Sequence, residues 1–200
     1  MKKILTISLL FTIIISVSGF IFLENHKAAL SADVEGKINW HTFQEAIELS
    51  KKEKKKIFID VFTDWCGWCK VMDKGTFTHA VIAKYMNDHY YCVKLNAEMK
   101  DTIVFNNYTF VNPSPNGPRS AHQLASSLLN NKLSYPTTVY LDENFNILTQ
   151  VPGYLKPEQM EPIMKYFGDN IYQGVKWEDF QKTFIGEIVP SGQSDFPSPH

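Results

Sequence analysis

The densest apolar run in the folded part of the chain is Ile57-Phe58-Ile59-Asp60-Val61-Phe62, interrupted by a single acid. It has the length of a strand, and continuous rather than alternating apolarity predicts a strand buried on both faces. Upstream, Trp40, Phe43 and Ile47 recur at helical spacing, with Ala46 flanking and Ser50 one turn on. That spacing predicts a helix from Asn39. The run Lys51-Lys52-Glu53-Lys54-Lys55-Lys56 ends it. Cations there complement the helix dipole, so a solvated helix end explains the run more simply than a docking patch. Downstream, the pattern predicts a helix through Val71 and Met72 and a second over about 80–88 with Val81, Ile82, Tyr85 and Met86 inward. A strand over Tyr90–Leu95 follows. Helix, strand, helix, helix, strand is an α/β order with a right-handed crossover.

The second half is less regular. Residues 102–105 and 109–111 predict a hairpin around Asn106-Asn107, and the prolines of Asn112–Arg119 predict a loop. His122–Leu129 reads as a helix with Leu124, Leu128 and Leu129 inward. Thr137–Asp142 and Ile147–Val151 predict a hairpin turning at residues 143–146. Pro157 opens a helix and Gly168 closes it, the favoured asymmetry. Val175–Phe184 predicts one more short helix. The tail over 190–200 is rich in Pro, Ser and Gly and is expected to be disordered.

Lys2 and Lys3 precede an apolar run from Ile4 to Leu23, which reads as a secretory signal or a retained membrane anchor over 1–23. Residues 24–36 read as a linker. Either outcome places the folded part outside the cytoplasm, with membrane contact only if the segment is retained. The 200 residues are 44% hydrophobic and 14% aromatic, enough for a core, and the net charge of -1 implies no polyelectrolyte partner. Arg119 is the sole arginine, so an arginine-rich nucleic-acid surface is excluded.

Chemistry concentrates in Thr63-Asp64-Trp65-Cys66-Gly67-Trp68-Cys69-Lys70. Export permits disulfide staples, but Cys66, Cys69 and Cys92 are too few, and a bond closing so small a loop removes little chain entropy. A metal clamp wants four ligands, and neither a second cysteine pair nor His79 and His89 supplies ligand spacing. A redox pair fits better. At a helix N-terminus Cys66 faces unpaired N–H groups and the positive dipole end, which favour the nucleophilic thiolate. Such placement lowers a thiol pKa from ~8.5 to about 3.5–7.5. Cys69, nearly one turn on and deeper, resolves the mixed disulfide. Trp65 and Trp68 form a docking rim around an exposed sulfur, with Trp68 the more exposed of the two. Cys92, mid-strand, reads as a buried small hydrophobe.

The stretch IFIDVFTDWCGWCK resembles the active-site strand and helix of the thioredoxin superfamily, and SYPTTVYLD and VPGYLKPEQM resemble its cis-proline loop and final helix. DWCGWCKVMDKGTF is especially similar to exported thioredoxin-like proteins related to the C-terminal domain of the thiol reductant carrier DsbD. The resemblance implies a thioredoxin fold over 37–170: a central mixed β-sheet flanked by helices, an insertion at about 101–132 before the cis-proline loop, and a helical extension over 171–189. It implies that Asp60 is a buried proton acceptor for Cys69, that Lys94 tunes Asp60, and that a cis Tyr135–Pro136 bond lies beside Cys66. Backbone around that proline, with Trp65, Gly67 and Trp68, would receive an extended substrate. No metal and no cofactor beyond the Cys66–Cys69 disulfide is implied.

Gly67-Trp68 replaces the family's usual Gly-Pro, and the insertion is longer than the fold needs; it either caps the groove or is decoration. Gly67 and Trp68 carry no cation to stabilise a thiolate, so the pair leans towards reductant. The expectation is an exported thiol–disulfide oxidoreductase that reduces protein or peptide disulfides and draws electrons from a membrane thiol carrier. A peptide-binding module without redox turnover, and an oxidase or isomerase, are the alternatives.

Overall fold

A computed structural model describes residues 36–190. The expected leader or anchor, the linker apart from Gly36, and the tail after Pro190 lie outside the described residues. In chain order the elements are β1 (Trp40–His41), α1 (Phe43–Lys52), β2 (Lys56–Phe62), α2 (Gly67–Gly75), α3 (Ala80–His89) and β3 (Tyr90–Asn96). Then come β4 (Ile103–Phe105), β5 (Tyr108–Phe110), α4 (Gln123–Leu128), β6 (Thr137–Leu141) and β7 (Ile147–Pro152). Helix α5 (Pro157–Gly168), a 3-10 turn (Ile171–Gln173) and α6 (Trp177–Thr183) complete the described part.

One sheet runs in the order β1-β3-β2-β6-β7, and β4-β5 form a separate hairpin. β2 lies at its centre, parallel to β3 and antiparallel to β6. That position buries both its faces, which is why its sequence is a continuous apolar run. Successive side chains alternate between two cores. Ile57, Ile59 and Val61 join α1, α4 and Ile103 of the hairpin; Phe58 joins α2, α3 and α5 on the other side. Asp60 has the parity of Phe58 and so faces the α2 side.

Two expectations at the N-terminal end need correction. Trp40 is a strand residue, paired in parallel with Cys92, and the helix starts only at Phe43. A capping box sets the boundary: the Thr42 N–H donates to Glu45 Oε2 at 2.7 Å, and the Glu45 N–H donates to Thr42 Oγ1 at 3.2 Å. Trp40 packs edge-on against Phe77 instead. Lys56 is not part of a solvated run; it opens β2, is buried, and pairs with Glu143 at 2.6 Å.

The segment between β3 and β6 and the segment after α5 are both tied down. In the hairpin, Asn106 and Asn107 take the left-handed turn conformation that asparagine tolerates. Buried Asn112 then clamps the loop over 112–120. Its Nδ2 donates to Met99 O (3.1 Å) and Ser120 O (2.8 Å), and its Oδ1 accepts from Ser114 N (3.0 Å) and Ser120 Oγ (2.6 Å). Buried His122 caps α4, accepting from Leu124 N at 3.1 Å. At the C-terminal end, buried Glu161 of α5 accepts from Glu187 N (2.8 Å) and Ile188 N (3.0 Å) and pairs with Lys165.

Candidate active site

β2 ends at Phe62, the chain turns with Cys66 N donating to Thr63 O at 3.1 Å, and Cys66 becomes the N-cap of α2. Its sulfur is bonded to Cys69, with 5.3 Å between the Cα atoms, and accepts the Cys69 N–H at 3.1 Å. The expected exposed sulfur is corrected here: Cys66 is 4% exposed and Cys69 2%. The bond to Cys69 and the helix-end N–H draw the Cys66 sulfur onto the helix terminus. Gly67, between them, is half-buried.

Tyr135–Pro136 is a cis peptide. Pro136 O accepts from Gly153 N at 2.8 Å, whereas among the described residues no backbone partner engages Tyr135 N–H or C=O. The Tyr135 ring meets Trp65 edge-on at 5.9 Å, which brings the cis-proline loop and the cysteine helix together. Trp68 stacks on Tyr154, with 5.3 Å between ring centroids. Trp65 is 52% exposed and Trp68 45%, the reverse of the expected order. Trp65 precedes the N-cap and stands outside the helix; Trp68 belongs to the first turn and folds back over Tyr154.

On the inner side, Asp60 and Lys94 are direct neighbours across the parallel β2–β3 pair, and Lys94 Nζ donates to Asp60 Oδ2 at 2.6 Å. Lys94 also contacts the carboxylate of Asp73, and its ammonium lies near the rings of Phe62, Trp40 and Phe77 at 4.9–5.2 Å. Asp73 is one helical turn after Cys69 and so shares its face of α2. Lys94 thereby ties Asp73 of α2 to Asp60 of β2. Asp60 is 1% exposed and Oδ1 has no partner among the described residues. Burial pushes its carboxyl up to about 6; Lys94 draws it down and Asp73 pushes it up. A cleft of about 590 Å³, lined by Ile38, Trp40, Asp73, Phe77 and Lys94, leads to the outer end of this set.

A thiol pair at a helix end with a near-neutral carboxyl behind it can exchange disulfides and pass a proton. A family model described as Thioredox_DsbH, a protein of unknown function (DUF255), matches residues 22–173. The chain belongs to the Thioredox_DsbH family.

This Thioredox_DsbH chain is 31% identical over 81 residues to spermatogenesis-associated protein 20 of Mus musculus, covering 40% of the chain and 10% of that protein. It is 28% identical over 135 residues to the thiol:disulfide interchange protein DsbD of Actinobacillus pleuropneumoniae, covering 64% and 20%. It therefore spans between a tenth and a fifth of these relatives. In fold it is similar to a thioredoxin-fold protein from Helicobacter pylori, with TM-score 0.51 and 19% identity over 78% of this chain and 91% of that one. It is also similar to a thioredoxin from Thermus thermophilus, with TM-score 0.50 and 11% identity over 66% and 87%. The Thioredox_DsbH chain is thus a thioredoxin-superfamily protein resembling DsbD.

Of the residues expected from sequence, Cys66, Gly67, Trp68 and Cys69 lie together at the start of α2 with Trp65 just before it, Tyr135 of the cis Tyr135–Pro136 bond meets Trp65, and Asp60 and Lys94 pair with each other across β2 and β3. Cys92 stays apart in the core, its Sγ 3.8 Å from Met86 O, with burial pushing its thiol up. Sequence reasoning missed Asp73, although its i+4 spacing from Cys69 was a signal. It also missed Tyr154, Glu98 and Arg119. Glu98 Oε1 accepts the Trp65 Nε1–H at 2.9 Å, and the Arg119 guanidinium lies over the Trp65 ring at 4.9 Å.

Proposed function

We propose that this chain is an exported thiol–disulfide oxidoreductase that works chiefly as a reductase of protein disulfides. The observation that carries the direction is the pair of carboxylates, Asp60 and Asp73, gathered on Lys94 behind the cysteine helix. One lysine cannot neutralise two ionised carboxylates, so negative charge behind the cysteines disfavours thiolate. A pair whose thiolate is poorly stabilised holds its disulfide more firmly and gives electrons more readily. Arg119 opposes this, but it is exposed and its charge is screened by solvent.

In the reductive cycle the Cys66 thiolate attacks one substrate sulfur, forms a mixed disulfide and expels the other as a thiolate. Cys69 gives its proton to ionised Asp60 and attacks Cys66 Sγ, which forms the Cys66–Cys69 disulfide and expels the second substrate thiolate. Two electrons pass to the substrate, whose thiolates take up two protons. A donor dithiol, supplied by a membrane thiol carrier, returns both electrons. The Tyr135 N–H and C=O, left without backbone partners among the described residues, suit an extended substrate segment. The basic residues and apolar run at the N-terminus support export.

Insulin reduction by the full chain and by Cys66→Ser and Cys69→Ser variants tests this reading. Loss of turnover in both variants is expected. Substrate binding without any thiol-dependent turnover in the parent protein would contradict it and favour a peptide-binding module.

A further inference from the structure

The loop that carries Arg119 is a built feature. Asn112 ties residues 112–120 to the chain at Met99, and Lys100 Nζ donates to Asn116 Oδ1 at 3.0 Å. Ser120, next to Arg119, is fixed by two bonds to Asn112. Arg119 itself adopts φ 55°, the left-handed region that side chains other than glycine and asparagine rarely take. A rare conformation maintained by so many contacts at the rim of a reactive site points to a use for the side chain it places.

That side chain lies over Trp65, the residue next to Cys66. Stacking occupies the face of the guanidinium and leaves its edge, where the N–H donors lie, open. Among the described residues Arg119 makes no hydrogen bond and no ion pair. The carboxylate at the edge of the Trp65 ring, Glu98, accepts the Trp65 Nε1–H and forms no ion pair with Arg119 among the described residues. Asp64, also exposed next to Trp65, forms no ion pair with it. An incoming carboxylate would therefore find a fixed, planar donor set over the residue next to the attacking cysteine, with Lys100, bonded to Asn116 of the same loop, adding positive charge.

We infer that Arg119 selects disulfide substrates in which an acidic side chain flanks the half-cystine under attack. The inference rests on the oxidoreductase reading and names its substrate class. Arg119 acts on encounter and binding and takes no part in bond making or breaking.

The test is single-turnover exchange between the pre-reduced full chain and three disulfide peptides that differ only in Glu, Gln or Lys beside the half-cystine. The parent protein should exchange with the Glu peptide about tenfold faster than with the Lys peptide at low ionic strength, and the ratio should shrink as salt is added. In Arg119→Gln the ratio should fall to about twofold or less, and in Arg119→Glu it should invert. Because the readout is a ratio within each variant, a partly unfolded preparation does not mimic the effect. Equal rates for all three peptides in the parent protein, or an unchanged ratio in Arg119→Gln, would overturn the inference alone. Failure to exchange with any peptide would overturn the oxidoreductase reading and the inference with it.

Discussion

The two sides of the Cys66–Cys69 disulfide are built on opposite principles. Behind it, Asp60, Lys94 and Asp73 are ionisable groups that find their partners in one another, in part within the protein. In front of it, Trp65 and Trp68 are large apolar side chains standing about half exposed, touched by Tyr135, Tyr154 and Arg119. Charge inside and hydrophobe outside invert the usual distribution, and each inversion costs stability. On the proposed reading, the difference assigns the direction of electron and proton movement to the inner set and the choice of what approaches to the outer set.

The inner side should give the largest effects. Cys69→Ser should slow steady-state disulfide reduction by on the order of 10³-fold, with the mixed disulfide on Cys66 accumulating and visible by mass spectrometry. Asp60→Asn should slow resolution by about 10- to 100-fold. It should also raise stability at alkaline pH. The folded-state value of Asp60, about 6, lies above the ordinary 3.8, so the native state retains a proton that the unfolded chain releases. Stability is then complete below about pH 4 and falls as pH rises through about 6. Removing the carboxylate should add about 2–3 kcal/mol at pH 8 and little at pH 4, read from urea unfolding at the two pH values. A pH-independent change would show that Asp60 is only a packing residue, and the contrast between the two sides would collapse.

A middle-sized effect should come from the clamp beneath the rim. Asn112→Ala strands the partners of a buried amide and should cost about 2 kcal/mol. It should also free Arg119 from Trp65, read as a change in tryptophan fluorescence. The smallest effect belongs to the rim itself. Trp68→Ala removes a half-exposed side chain, so stability should move by about 0.5 kcal/mol or less while KM for a protein disulfide rises a few-fold. A large loss of stability would show that Trp68 is a core residue and not a docking surface.

The inner side was the more legible in sequence. A continuous apolar strand interrupted by Asp60, followed directly by a CxxC, constrains both fold and chemistry, and Lys94 falls opposite Asp60 because parallel register fixes cross-strand neighbours. Trp40 misled because its three-residue spacing to Phe43 mimics a helix face; the Thr42–Glu45 capping box was the better signal. Asp73 was missed because its role depends on α2 packing over β3, a tertiary fact. The rim was harder still. Arg119 is more than 50 positions from Trp65 in sequence, and only the folded loop reveals that they meet. The relative exposure of Trp65 and Trp68 turned on one stacking contact with Tyr154.

The most direct test of the central claim is the reduction potential of the Cys66/Cys69 pair, measured by equilibration of the full chain with a glutathione or dithiothreitol series. Two carboxylates behind the cysteines and no cation between them predict a reducing value, near the about -270 mV of thioredoxin. A value near the about -120 mV of DsbA would contradict the account, because it would mean that the thiolate is strongly stabilised and that the protein takes electrons from its substrates.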